Sequence, residues 1–323
     1  MRYLPILMIL FLATPLKINA TFWGFYAHKE INRLAVFTLP ATISPFFKKH
    51  IVYITENAVN PDERRYAIKE EAPRHYIDLD VYGENAFDRI PLYWDSAVSM
   101  YSEDTLMKYG IVPWHIYSMY HRLIWAFENH NLDAILRYTA DIGHYIADAN
   151  VPLHTTENYN GQLTNQHGIH GFWESRLPEL YASQYDFFVG KAQYIDQVQP
   201  YIWQIVKLSH LAKDSVLSIE KGLSHHTREG KKYAFESRGA SNVKVYSRDY
   251  SKQYHQALDG MVERRMRHSI IMAGNIWYSA WVDAGQPPLE LLMSLDLSEI
   301  ENKALEEERK LWKIRTVKSR EHN

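Results

Sequence analysis

The sequence predicts an all-α fold, a single compact multi-helix domain, on three observations. Apolar residues recur at helical spacing along most of the chain, two-residue alternation is almost absent, and prolines and glycines interrupt the helical stretches at intervals that suit helix ends. A chain of 323 residues with 46% hydrophobic content has enough apolar surface for a sizeable core, and one 23% charged is not composed like a disordered polymer.

The elements follow in order. Residues 1–20, MRYLPILMILFLATPLKINA, carry Arg2, an apolar run from Leu4 to Leu16, and the small residue Ala20, the pattern of a cleavable signal peptide. The expected localisation is therefore secreted or periplasmic. His28, Ile31, Ala35 and Thr38 recur at i, i+3, i+7 and i+10, placing His28 on the inner face of a helix that ends before Pro40. Asp62 in NPDERRY and His75 in PRHYIDLD sit beside helix-breaking prolines, on rigid corners. A helix entered near His115 runs to Phe127. Asn131 reads as an N-cap with Asp133 in the first turn, opening a helix to about Asn150 that stops before Pro152. Long helical stretches follow at about 195–223 and 250–283, with Leu258, Met261, Ile276 and Trp277 facing inward, and Gly285, Pro287 and Pro288 end the second. Residues 224–248 are polar and contain glycine, so they read as a surface loop. Residues 21–290 would form the domain and 291–323 a charged, helical tail whose Lys313, Arg315, Lys318 and Arg320 form a solvated face.

Composition excludes some classes of function. With 36 Lys and Arg against 38 Asp and Glu, there is no basic excess of the kind that drives binding to nucleic-acid phosphates. The chain has no cysteine, which excludes a disulfide framework and thiolate metal sites.

Between Gly143 and Glu174 the chain collects His144, Asp148, His154, His167, His170 and Glu174. His144 and Asp148 are four residues apart, so on a helix both leave the same face one turn apart and can reach one metal or two adjacent ones. His170 and Glu174 repeat that spacing, and His154 follows the Pro152 break. A lone His and carboxylate pair of this kind is ordinarily a surface pair; two such pairs around a third histidine, in a chain without cysteine, favour a metal. Imidazoles and carboxylates suit zinc, although ligand type alone leaves other divalent ions open.

HYIADANVPLH followed by GIHGFWE resembles the signature of the zinc-dependent phospholipase C family and the related single-strand-specific zinc nucleases: HxxxD, a histidine six residues on, then a distal HxxxE or HxxxD. The likeness extends over nearly the whole chain after the signal. Trp23 and His28 resemble the family's N-terminal Trp and first-helix His, Asp62 its early Asp, His75 in HYIDLD the His that follows, and GIVPWHIYSMYHRLIWAF the helix before the signature. The resemblance implies an all-helical domain with up to three zinc ions in one cleft. Asp62, His75, His144 and Asp148 would hold one, His154, His170 and Glu174 a second, and Trp23 through its backbone with His28 a third, bridged by Asp148. It also implies phosphodiester hydrolysis by a metal-activated water, with Asp62 as a zinc ligand able to accept a proton.

Glu174 at the distal position, the absent cysteines and the lack of basic excess resemble the phospholipase C branch, so the expected substrate is a phospholipid, cleaved at its headgroup during transient contact with a membrane surface. Single-stranded nucleic acid, cleaved by a nuclease or nucleotidase, is the alternative substrate; a non-catalytic exported metal-binding protein is the alternative from another class. No obligate protein partner is expected. Tyr26, Tyr76, Trp94, Trp114, Tyr159 and Trp173 lie near the motifs and suit either base stacking, enclosure of a choline-like cation, or core packing. His167 reads as a loop residue, and His115, His121, His225 and His226 as non-ligands. One departure from the family stands out: cleavage after Ala20 leaves Thr21 and Phe22 ahead of Trp23, whose nitrogen is then an amide rather than a free amine. The third zinc is accordingly expected to bind more weakly than the other two.

Overall fold

The computed structural model describes residues 25–238, 241–314, 317 and 320, and these are mostly helical. The signal sequence and Trp23 lie outside the described residues. The principal helices are α1 (Phe25–Ala35), α2 (Val112–Glu128), α3 (Leu132–Ala149), α4 (Val198–His226), α5 (Arg248–Ala257), α6 (Met261–Asp283) and α7 (Glu299–Trp312). Helices α1, α2, α3 and α6 pack on one another, and α4 lies along α2. No helix among the described residues is long and apolar enough to cross a membrane.

Local chemistry sets the bounds of the helix that matters most. The Asn131 side chain accepts a hydrogen bond from the Ala134 amide at 3.0 Å, capping α3, and the chain leaves α3 through Asn150 into a 3-10 turn, Pro152–Thr155, opened by the proline. Nearly every side chain in the second half of α3 is buried. That helix contributes to two apolar clusters: Ile142, Tyr145, Ile146 and Ala149 to the larger, Ala147 to a second that includes Phe172, Tyr250 and Tyr254. Helix α1 likewise supplies Ala35 to the first and Ala27 and Ile31 to the second.

Helices α1 and α3 approach closely because position 143 has no side chain. A Cβ on Gly143 would stand 2.7 Å from Asn32 Cγ, inside any tolerable contact. Asn32 Nδ2 instead donates to the Ala140 carbonyl at 3.0 Å and the Ile54 carbonyl at 3.3 Å, tying α1 to α3. The rings of His28 and His144 consequently stack with centroids 4.0 Å apart.

Three sequence expectations differ from the structure. Residues 224–248 are not a loop: α4 runs on to His226, and an antiparallel hairpin pairs β1 (Tyr233–Arg238) with β2 (Ser241–Tyr246), Tyr233 facing Tyr246 and Phe235 facing Lys244. Its alternation spans six residues a strand, too short to stand out against the polar composition. The 250–283 helix is two helices. Asp259 and Gly260 take positive φ of 47° and 71° and break the chain between α5 and α6, and Met261 is only partly buried. The third difference lies in the tail: α7 docks on the domain through Trp312, buried under the Arg64 guanidinium, and through Arg137, which pairs with Glu301 and Glu308. Beyond it Arg320 is not solvated but stacked over Tyr76 and paired with Asp78.

Candidate metal centre

The bundle brings eight of the expected donors together. Asp62 enters from the short helix Asn60–Arg64, His75 from the 3-10 turn Ala72–His75, and His28 from α1. His144 and Asp148 come from α3, and His154 from the turn after it. His170 lies on Ile169–Gly171, and Glu174 on a π-helical turn, Phe172–Arg176, a geometry that recurs at functional sites. Three groups of donor atoms result, each spanning no more than 4.8 Å: His28, His144 and Asp148; Asp62, His75 and His144; His154, His170 and Glu174.

The hydrogen bonds fix which way the rings face. His144 Nδ1 donates to the Ala58 carbonyl at 2.8 Å, His154 Nδ1 to the His75 carbonyl at 2.5 Å, and His170 Nδ1 to the Tyr159 carbonyl at 3.1 Å. A carbonyl only accepts, so each neutral ring carries its lone pair on Nε2, turned inward. His154 Nε2 and His170 Nε2 then face each other at 3.1 Å, with Glu174 Oε2 at 3.3 Å and 2.6 Å from them. With neutral rings, three acceptor atoms converge on one point. Two ligands about 2.0–2.1 Å from one tetrahedral zinc stand roughly 3.3 Å apart, close to these separations. His144 Nε2 and His75 Nδ1 also stand 3.1 Å apart.

Asp148 joins the groups. Its Oδ2 faces His75 Nδ1 at 2.8 Å and His144 Nε2 at 3.2 Å, while Oδ1 faces His28 Nε2 at 3.6 Å and His154 Nε2 at 3.9 Å. Glu174 Oε1 also lies 3.4 Å from His28 Nε2, a proximity that the spacing of the motifs does not foretell. Asp62 is the donor nearest solvent, its side chain 13% exposed against 8% or less for the others, and it pairs with Arg65 at 3.2 Å.

The electrostatics express the same demand for positive charge. Burial alone would push up the carboxyls of Asp148 and Glu174, but the histidines around them hold both well below the usual carboxylate range. Burial opposes protonation of His154, yet Asp148 and Glu174 outweigh it and raise the ring to about 9. His144 is raised likewise, chiefly by Asp148 against burial, whereas burial lowers His75 and His170. The two buried carboxylates, Asp148 and Glu174, are stable only beside cations, which are protons on the histidines in the metal-free protein and which divalent ions would replace.

Two residues that serve this centre escaped the sequence reading. Glu71, fully buried, lies four residues before His75, with Oε1 3.8 Å from His75 Nε2, and it accepts from Arg64, Arg74 and Tyr145. Its spacing to His75 is the one that marked the other pairs, so the signal was present. Arg65, three residues after Asp62, is the counterion of that ligand. Of the six aromatics, Trp114 and Trp173 belong to the core, Trp94 packs against it, Tyr26 is exposed, and Tyr76 and Tyr159 both contact the Arg320 guanidinium. His167 is exposed and outside the three groups; His115 is buried, with Nε2 lacking a hydrogen-bond partner.

Compared with known protein families and with curated proteins, the chain matches none.

Proposed function

We propose that the chain is a zinc-dependent phosphodiester hydrolase of the phospholipase C type, acting on phospholipid headgroups. The observation that carries this reading is the convergence of lone pairs: the Nε2 atoms of His154 and His170 and the Oε2 of Glu174 face one another with their outer nitrogens committed to carbonyls. A second, adjacent convergence at His75, His144 and Asp148 supports more than one ion. Bound zinc would supply Lewis-acid stabilisation of the phosphoryl oxygens and a water acidic enough to attack at neutral pH.

The residues do the rest. His75, His144, Asp62 and Asp148 would hold one ion, His154, His170 and Glu174 a second, and His28 with Asp148 a third; Trp23, the remaining ligand expected there, lies outside the described residues. Asp62, the most exposed of the set, would take a proton from an attacking water, and Arg65 beside it favours the ionised carboxyl that role needs. Glu71, its Oε1 3.8 Å from His75 Nε2, would add negative charge behind that ring.

Assaying the zinc-loaded protein against a chromogenic phosphodiester, with and without chelator, tests for hydrolysis. A paired assay on phosphatidylcholine and single-stranded DNA then tests the substrate. Chelator-sensitive cleavage of the lipid supports the reading; cleavage of the DNA alone would move the protein to the nuclease reading, and no cleavage of any phosphodiester would leave a non-catalytic metal protein.

A further inference from the structure

Beside the donor cluster, two segments that carry its histidines are tied together: the Ile77 amide donates to the His154 carbonyl at 2.9 Å. Tyr76 follows His75 directly, and the Tyr159 carbonyl orients His170. The rings of Tyr76 and Tyr159 both contact one guanidinium, that of Arg320, at 3.4 Å and 4.7 Å from their centroids. Asp78, whose side chain is 1% exposed, accepts from both Arg320 Nη atoms, one at 2.9 Å. Two ring faces and a buried carboxylate make a complete receptor for a cation.

Arg320 reaches this receptor from a tail secured elsewhere. Trp312 is buried beneath Arg64, Arg309 Nη2 donates to Asn57 Oδ1 at 3.0 Å, and the Val317 amide donates to the Tyr66 carbonyl at 2.8 Å. The surroundings favour a cation there: Asp80 and Glu157 add negative charge beside Asp78, and burial holds the Asp78 carboxyl above its ordinary range even with Arg320 in place.

We propose that Tyr76, Tyr159 and Asp78 form a cation-binding box beside the donor cluster, and that Arg320 occupies it as a tethered competitor, so that Arg320 restrains access by cationic ligands. The occupant displaced would be an ammonium group carried by the substrate. That last step rests on the phosphodiesterase reading; the box and its occupant do not.

A tethered cation competes at a local concentration of millimolar order, so removing it unmasks the box. The probe is tetramethylammonium chloride, titrated calorimetrically into full-length, zinc-loaded wild type and Arg320→Ala. We expect the variant to bind at least tenfold more tightly than wild type, and Tyr159→Leu in the Arg320→Ala background to lose that gain. Asp78→Asn combined with Arg320→Ala removes the buried charge along with its partner; this pair should fold like wild type and bind no tetramethylammonium. Equal binding by wild type and Arg320→Ala, or a gain that persists in the Asp78→Asn pair, would overturn the proposal. KM for a short-chain phosphatidylcholine, measured on the same proteins, should fall in Arg320→Ala. Tighter tetramethylammonium binding with no hydrolysis by any of them would uphold the box and sink the phosphodiesterase reading instead.

Discussion

Replacing Gly143 with alanine tests whether the close approach of α1 and α3 assembles the centre. On helix propensity alone the substitution gains about 1 kcal/mol. Against this, the new Cβ meets Asn32 Cγ at 2.7 Å, so the Asn32 side chain or the whole of α1 must retreat by roughly 1 Å to reach ordinary carbon contact. Asn32 is fully buried, and its amide is held by the Ala140 and Ile54 carbonyls. Losing both bonds costs about 2 kcal/mol, and stranding a buried donor adds on the order of 1 kcal/mol more. The net expectation is destabilisation by about 2 kcal/mol, a fall in Tm of a few degrees for a domain of this size. Because His28 rides on α1 and stacks on His144, zinc held through His28 should weaken in parallel. The assay is thermal melting of the metal-free protein, together with zinc counting after dialysis. A Gly143→Ala protein that melts higher than wild type and retains the same zinc would show that the approach is not tight and would refute this reasoning.

Asp62→Asn should abolish hydrolysis while moving Tm little, since it neutralises the most exposed ligand and leaves the core untouched; activity within a few-fold of wild type would remove Asp62 from the mechanism. His154→Ala should lose one zinc equivalent by elemental analysis and melt lower, because metal affinity is coupled to folding. Glu71 offers a pH test. Burial alone would raise its carboxyl, but Arg64, His75 and Arg74 beside it lower it to about 2 from an ordinary 4.5, corresponding to about 3 kcal/mol. A depressed carboxyl stabilises the fold above its unfolded pKa and loses that contribution as pH falls from about 4.5 toward 2. The Tm difference between wild type and Glu71→Gln should therefore be largest near pH 7 and close on acidification; a gap independent of pH would contradict the assignment.

Much of the donor cluster was legible because its members are local. His144 with Asp148 and His170 with Glu174 declare themselves by a helical turn, and Asn131 and Pro152 bracket the helix that presents the first pair. The terms that escaped are those that pair residues far apart in the chain. Nothing near Gly143 announces Asn32, 111 positions earlier, and nothing near Asp78 announces Arg320, 242 positions later. The break at Asp259 was hidden because apolar periodicity resumes on both sides of it, and a left-handed pair of residues costs only one glycine in the sequence. Glu71 was overlooked for a different reason: its partner His75 lies on a proline-marked corner, where helical spacing was not applied.

If zinc ions held by the converging donors carry out phosphodiester hydrolysis, titrating zinc into the metal-free protein while following cleavage of a chromogenic phosphodiester should show it. No activity is expected without metal, then a rise with the first equivalents of zinc to a plateau by three, and loss of that activity when chelator is added. Tight zinc uptake with no cleavage at any stoichiometry, or cleavage that persists in chelator, would contradict zinc-dependent hydrolysis.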